Sequence, residues 1–383
     1  MPQGELSRRS ADWYRLPAFA IATVFVVCAF VAVWLARSGS IVADFLSFWA
    51  AGHLTAAGDP SWAYDFARHH AVETQVVGRI GILPFPYPPP FLIIVTPFGL
   101  LPFWVALGLW IAISAGLFLL ASRPVAEARF GLAQAGAAAN FVTGQNGFLT
   151  SAIFIGGTGL IARRPFVAGA VLGLLCFKPQ LAILLPVALI AGREWRAIAG
   201  GMVSTVALLL AGLLLFGVAS YQGFLAMLPQ FSQWLSTGRW PWGELASTFA
   251  LLRAFDVPPA PALLIHCGIA LAAAALTARA WALKLETRVP ILAAATLLIP
   301  PYLFTYDALL LTLPLGWLFR QRGGDLRFLL TWILSLLPVI EYFTPFPNTI
   351  PLAAVLSLWA LHPRASSEWQ PRDAALTQPA AAD

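Results

Sequence analysis

What most constrains this chain is a succession of apolar runs that follow one another with little between them but arginine, proline and glycine. Charged residues make up only 10% of the sequence and hydrophobic ones 59%, with a mean hydropathy of +0.78. A water-soluble domain carries about 25% charged residues and has no way to cover this much apolar surface. Lipid must therefore be the solvent for most of the chain, and an all-α polytopic membrane protein is the expected class, because in hydrocarbon the backbone must satisfy its own hydrogen bonds. The formal charge of +6 sits between the apolar runs, where basic residues report topology rather than a nucleic-acid footprint.

Spans are expected near 17–36, 90–121, 131–142, 147–162, 165–177, 180–192, 196–217, 260–283, 289–304, 308–319, 327–343 and 349–361. Several are shorter than the ~20 residues that cross a hydrocarbon core alone. Short elements interrupted by Gly and Pro belong where a protein-lined cavity reaches to membrane depth. Within 90–121, Pro97 and Pro102 divide an interfacial piece from a true span. With the N-terminus inside, only Arg37, Arg68, Arg79, Arg239 and Arg253 fall outside, and Lys178 lies at a junction between short helices. All other Lys and Arg lie inside, so both termini are cytoplasmic and the span number is even; twelve fits. The resulting plan is a cytoplasmic N-terminus at 1–16, a single membrane domain at 17–365 and a disordered cytoplasmic tail at 366–383, rich in Ala, Pro and Gln. The run from Leu16 to Ala36 is too long for a signal-peptide core and reads as a retained first span. Two outer loops are long, 37–89 and 218–259, and carry aromatics at helical spacing that suit interfacial helices. Cys28, Cys176 and Cys267 each lie within an apolar segment as small buried hydrophobes, with no metal or disulfide spacing.

On the outer side carboxylates are few. Asp44 lies just beyond the first span, ahead of Phe45, Phe48 and Trp49. A carboxylate held between a membrane surface and apolar side chains gains proton affinity, which suits a general base. Asp is also a favoured N-cap, and a helix begins at Phe45; the two roles are compatible. Asp65 is placed to cap a second helix. Lys178, in Phe177-Lys178-Pro179-Gln180, is an isolated ammonium at outer-leaflet depth. It either meets an anion such as a lipid phosphate or snorkels to the interface. Thr143-Gly144-Gln145-Asn146-Gly147 is too polar to face lipid, so it caps helices or lines a cavity. Tyr302 to Asp307 brings two tyrosines and a carboxylate to an outer helix end, and interfacial anchoring explains only the tyrosines. His69 and His70 are adjacent and poorly spaced for one metal. Gly-rich phosphate loops and Gly-x-Ser-x-Gly are lacking.

In their order along the chain, several short stretches resemble glycosyltransferase family 87, the polyprenol-phosphate-mannose-dependent mannosyltransferases of the GT-C fold. They are Asp44-Phe-Leu-Ser-Phe-Trp-Ala-Ala-Gly through Gly58-Asp-Pro with Tyr64-Asp65, then Tyr87-Pro88-Pro89, Thr143-Gly144-Gln145-Asn146, Lys178-Pro179, and Pro301-Tyr302 with Tyr306-Asp307. The resemblance implies a bacterial plasma-membrane enzyme with its site facing the exterior. Asp44 would be the catalytic base of an inverting transfer of mannose or another hexose from a polyprenyl-phosphate sugar to an envelope glycan or glycolipid. Lys178, Arg239 and Arg253 would steady the donor phosphate, and Asp65, Tyr87, Gln145, Asn146, Gln180, Tyr306 and Asp307 would line the cavity. No cofactor is implied beyond the lipid-linked donor, and a monophosphate leaving group does not demand a metal. The competing expectation is a transporter or flippase, which should show an internal repeat and ionisable residues at the membrane midplane; no such repeat is visible.

Overall fold

The computed structural model describes residues 44–78, 81–123, 131–238, 242–322, 324–342 and 346–362. The expected first span at 17–36, the basic residues Arg8, Arg9, Arg15, Arg37, Arg79 and Arg239, and the tail at 366–383 lie outside these residues. Among the described residues the fold is nearly all helical. Its extended pairing is a single isolated bridge between Leu245 and Phe304.

The helices are α1 (Phe45–Ala56), α2 (Phe66–Val77), α3 (Pro90–Gly99), α4 (Phe103–Ser122), α5 (Ala135–Thr143), α6 (Gly147–Leu160), α7 (Pro165–Gly173) and α8 (Leu184–Ala191). They continue with α9 (Trp195–Ser236), α10 (Thr248–Ala254), α11 (Pro259–Ala282), α12 (Arg288–Thr296), α13 (Thr312–Arg322), α14 (Leu326–Leu336) and α15 (Ile350–Ala360). Three of them, α4, α9 and α11, are long and apolar enough to cross a membrane. Their outer faces are apolar and exposed, as at Trp104, Ile113 and Leu120 of α4, Leu214 of α9 and Leu264 and Leu271 of α11. Such faces need lipid against them. Cys267 lies on the exposed side of α11 and Cys176 is half-buried, so neither is the buried hydrophobe expected of it.

The remaining apolar helices are short, and tight 3-10 turns join some of them. Leu174–Phe177 extends α7, and Pro179–Leu181 leads toward α8. Between these turns Lys178 leaves the helical region, at φ −133° and ψ 67°, because the proline that follows disfavours helical backbone. α7 packs closely on α9 through small residues, Gly169 facing Ala197, Gly173 facing Gly201, and Gly200 facing Phe166 and Ala170. Small faces of this kind let helices approach where the hydrophobic effect gives no help.

One boundary agrees with the sequence expectation and one element differs. The span expected to end at 217 breaks there: at Gly217 φ is +72° and ψ 170°, outside the helical region, and a second helical stretch follows to Ser236 inside the outer segment expected to carry an interfacial helix. Only glycine takes that backbone without cost, so the chain kinks there. The difference is α1, expected at the membrane interface. Nearly every residue from Phe45 to Thr55 is buried in protein, because Phe45 and Phe48 pack against Phe91, Phe98, Phe103 and Trp110. α2 keeps a polar outer face, and Asp65 caps it as expected, accepting from the backbone N–H groups of Ala67 and Arg68 at 3.0 and 3.1 Å. The proline-rich stretch at 90–121 does divide, at Leu100–Pro102, although Pro97 is accommodated inside α3.

Candidate active site

Asp44 stands at the start of α1 without capping it. Its backbone is helical, at φ −56° and ψ −16°, and its side chain makes no bond to the first-turn N–H groups. The carboxylate turns instead to the break between α5 and α6, where Gln145 donates from Nε2 to Oδ2 at 3.2 Å. Both residues line a crevice of about 80 Å³ together with Ser47, Tyr87, Phe304 and Tyr306. The aromatic cluster under α1 excludes water from one side of Asp44. Burial accordingly pushes its pKa up to about 6, with Gln145's hydrogen bond pulling it back and the charge of Glu244 adding repulsion. A carboxylate so poised is ionised at neutral pH and still basic enough to take a proton.

The far wall of the crevice is residues 81–87, fixed from two sides. Ser47 Oγ donates to the Pro84 carbonyl at 3.0 Å, and the Leu83 N–H donates to Glu73 Oε2 at 3.3 Å. Glu73 is fully buried and also meets His69 at 3.3 Å and His70 at 3.1 Å. These histidines therefore serve one carboxylate that anchors the wall. Among the described residues no group of three or more His, Cys, Asp or Glu is arranged to hold a metal ion. At the end of the wall, Tyr87 is buried with its hydroxyl set against Asn146 and Tyr306. Burial first, then the nearby charge of Asp307, raises its pKa further, so it stays a neutral donor.

Beneath the crevice lies a second, drier set of polar groups. Lys178 Nζ donates to Asp307 Oδ1 at 2.5 Å and to Asn146 Oδ1 at 2.8 Å, and sits 4.7 Å from the centre of the Tyr306 ring. Lys178 and Asp307 are each 1% exposed and Asn146 is fully buried. The 143–147 break that brings these groups together is held at each step. Gly144 turns with φ +65° and its carbonyl accepts from Trp110 Nε1 at 2.8 Å. The Gly147 N–H donates to Asn140 Oδ1 at 2.7 Å, while Asn140 Nδ2 reaches the Tyr306 carbonyl at 2.9 Å. A side chain at Gly147 would collide with that same carbonyl, so glycine is required by close approach.

Asp44, Tyr87, Gln145, Asn146, Lys178, Tyr306 and Asp307 are thus one contiguous group. The other expected site residues stand apart. Asp65 is exposed at the head of α2. Gln180 is half-buried in the turn after Lys178 and does not line the crevice. Arg253 closes its own helix, donating to the Val257 carbonyl at 2.6 Å and lying over the Trp242 ring. Arg239 is outside the described residues. Sequence reasoning missed Asn140, Trp110 and Ser47. Asn140 was findable as an amide closing an alanine-rich run, whereas the others look like ordinary helix residues.

Apolar outer faces, short broken helices and a half-buried carboxylate in a polar crevice together define a membrane protein with an internal polar site. The model of glycosyltransferase family 87 matches residues 85–305, well over half of the chain. The chain belongs to that family and is a membrane glycosyltransferase, which removes the transporter alternative. The matched region holds Tyr87, Gln145, Asn146 and Lys178; Asp44 precedes it, and Tyr306 and Asp307 follow directly. No curated protein and no solved structure matches the chain.

Proposed function

We propose that the protein transfers a hexose, mannose in our reading, from a polyprenyl-phosphate sugar to an envelope glycan or glycolipid acceptor, with inversion and with Asp44 as general base. The observation that carries this is the crevice, where a carboxylate of raised proton affinity keeps one oxygen, Oδ1, clear of Gln145. In the reaction Asp44 takes the proton of the acceptor hydroxyl as that oxygen bonds to the anomeric carbon. The bond from that carbon to the phosphate oxygen breaks on the opposite face, and polyprenyl phosphate leaves with the electron pair. The Lys and Arg bias supports an outward-facing crevice, and in this reading the enzyme is a bacterial plasma-membrane protein with twelve spans of the GT-C kind. An apolar cavity of about 520 Å³ supports a lipid-linked donor. It lies between α7, α8 and α9 beside the Lys178 turn, lined by Leu172, Cys176, Pro179 and Met202 among others. Its chemistry suits an isoprenoid chain.

The test uses membranes that contain the protein, incubated with labelled polyprenyl-phosphate mannose and a panel of envelope glycolipid acceptors. Wild-type membranes should transfer label, and Asp44→Asn membranes with equal protein should not. Full transfer by the Asp44→Asn protein removes Asp44 as the base. Label accepted from a nucleotide sugar instead removes the proposed donor.

A further inference from the structure

Lys178 was expected to meet the donor phosphate, yet its ammonium is enclosed and held by Asp307 and Asn146. From this group a continuous line of hydrogen bonds leads back to the crevice. Lys178 holds the side-chain oxygen of Asn146. The Asn146 backbone N–H donates to Gln145 Oε1 at 3.3 Å, and Gln145 Nε2 donates to Asp44 Oδ2. Because its oxygen is occupied, the Gln145 amide has one orientation available, the one that offers N–H groups to the carboxylate.

We propose that Gln145 is a positioning residue that holds Asp44 by one oxygen, and that the Lys178–Asp307 pair is the buried anchor that keeps Gln145 aimed. The inference rests on the reading of Asp44 as the base. Lys178 then acts through Asn146 and Gln145 and does not touch the donor. The buried pair is costly to build and costly to break, which suits a fixed reference point better than a group that must exchange partners in each cycle. Among the described residues, the other titratable groups whose charge couples to Asp44 are Glu244, Tyr87 and Tyr306. None of these is altered in the test.

The experiment needs no substrate. Full-length protein in lipid nanodiscs is treated with an apolar carbodiimide, which modifies protonated carboxyl groups, and label at Asp44 is read by peptide mass spectrometry between pH 4 and 9. Gln145→Ala should move the labelling midpoint up by about one pH unit, roughly fivefold more label at pH 7. Asn146→Ala, which frees the turn while leaving Lys178 on Asp307, should move it the same way by less. So should the neutral pair Lys178→Met with Asp307→Leu. In the Gln145→Ala background neither should add a further shift, because both act through Gln145. An unchanged midpoint in Gln145→Ala, or additive shifts in the combined variants, overturns the proposal. Should the neutral pair not accumulate as folded protein, the Asn146→Ala cycle decides alone. Shifted, non-additive midpoints in a protein that transfers no sugar would keep the anchor and discard the assigned reaction.

Discussion

Asp307 and Asp44 are both carboxylates at the mouths of helical turns, and their surroundings assign them opposite work. Asp307 is sealed from solvent and answered by a full cation at 2.5 Å. Asp44 is half-buried against aromatic rings and answered only by a neutral amide at 3.2 Å. A buried ion pair has its energy committed to holding elements together, here the 143–147 break, the Lys178 turn and the 305–311 turn. A carboxylate with an amide for a partner keeps a basic lone pair for chemistry. The comparison shows why the sole lysine set deep in the fold is a poor candidate for a substrate-binding cation.

That contrast can be broken from either end. The largest effect should follow Asp307→Ala, which strands the Lys178 ammonium. A loss of about 3–5 kcal/mol is expected, read as failure to accumulate as monodisperse protein in detergent, with Asp307→Asn less severe. Next comes Asn140→Ala. Its side chain serves Gly136, Gly147 and Tyr306 in a dry site. Unfolding temperature should fall by an amount equivalent to about 2–3 kcal/mol. Asp65→Ala, the loss of an exposed cap, should cost only about 1 kcal/mol and leave transfer intact, since Asp65 lies off the crevice.

Asp44→Asn should act in the other direction on stability. The folded protein raises the proton affinity of Asp44, so the favourable contribution of that group is complete below its ordinary value of 3.8 and is lost as pH rises through about 6. The variant should therefore melt a few degrees higher than wild type at pH 8 and alike at pH 4. A lower melting temperature at pH 8 would mean that the ionised carboxylate is stabilising and that the contrast with Asp307 is wrong.

Much of this was legible because it is local. Proline and glycine punctuation located the short helices, Asp65 announced its cap, and the Thr-Gly-Gln-Asn run was too polar for lipid. Asp44 was legible as a carboxylate with few rivals, although its cap role was not adopted; the side chain prefers a partner over a hundred residues away. What could not be read is long-range. Nothing near Lys178 says that Asp307 neutralises it, because that pairing joins segments 129 residues apart. Gly217 was legible as the end of a span, but not that a second helical stretch follows it directly to Ser236. The burial of α1 depends likewise on rings supplied by α3 and α4.

The central claim is that Asp44, poised by burial and by Gln145, is the base. The most direct measurement is the pH dependence of kcat/KM for sugar transfer from the proposed donor by the purified protein in nanodiscs. Activity should rise through a single ionisation near pH 6 and stay level above it, and Asp44→Asn should lose about 10²–10⁴-fold at every pH. An acid limb near pH 4, or a limb at pH 6 that survives in the Asp44→Asn protein, would contradict the account.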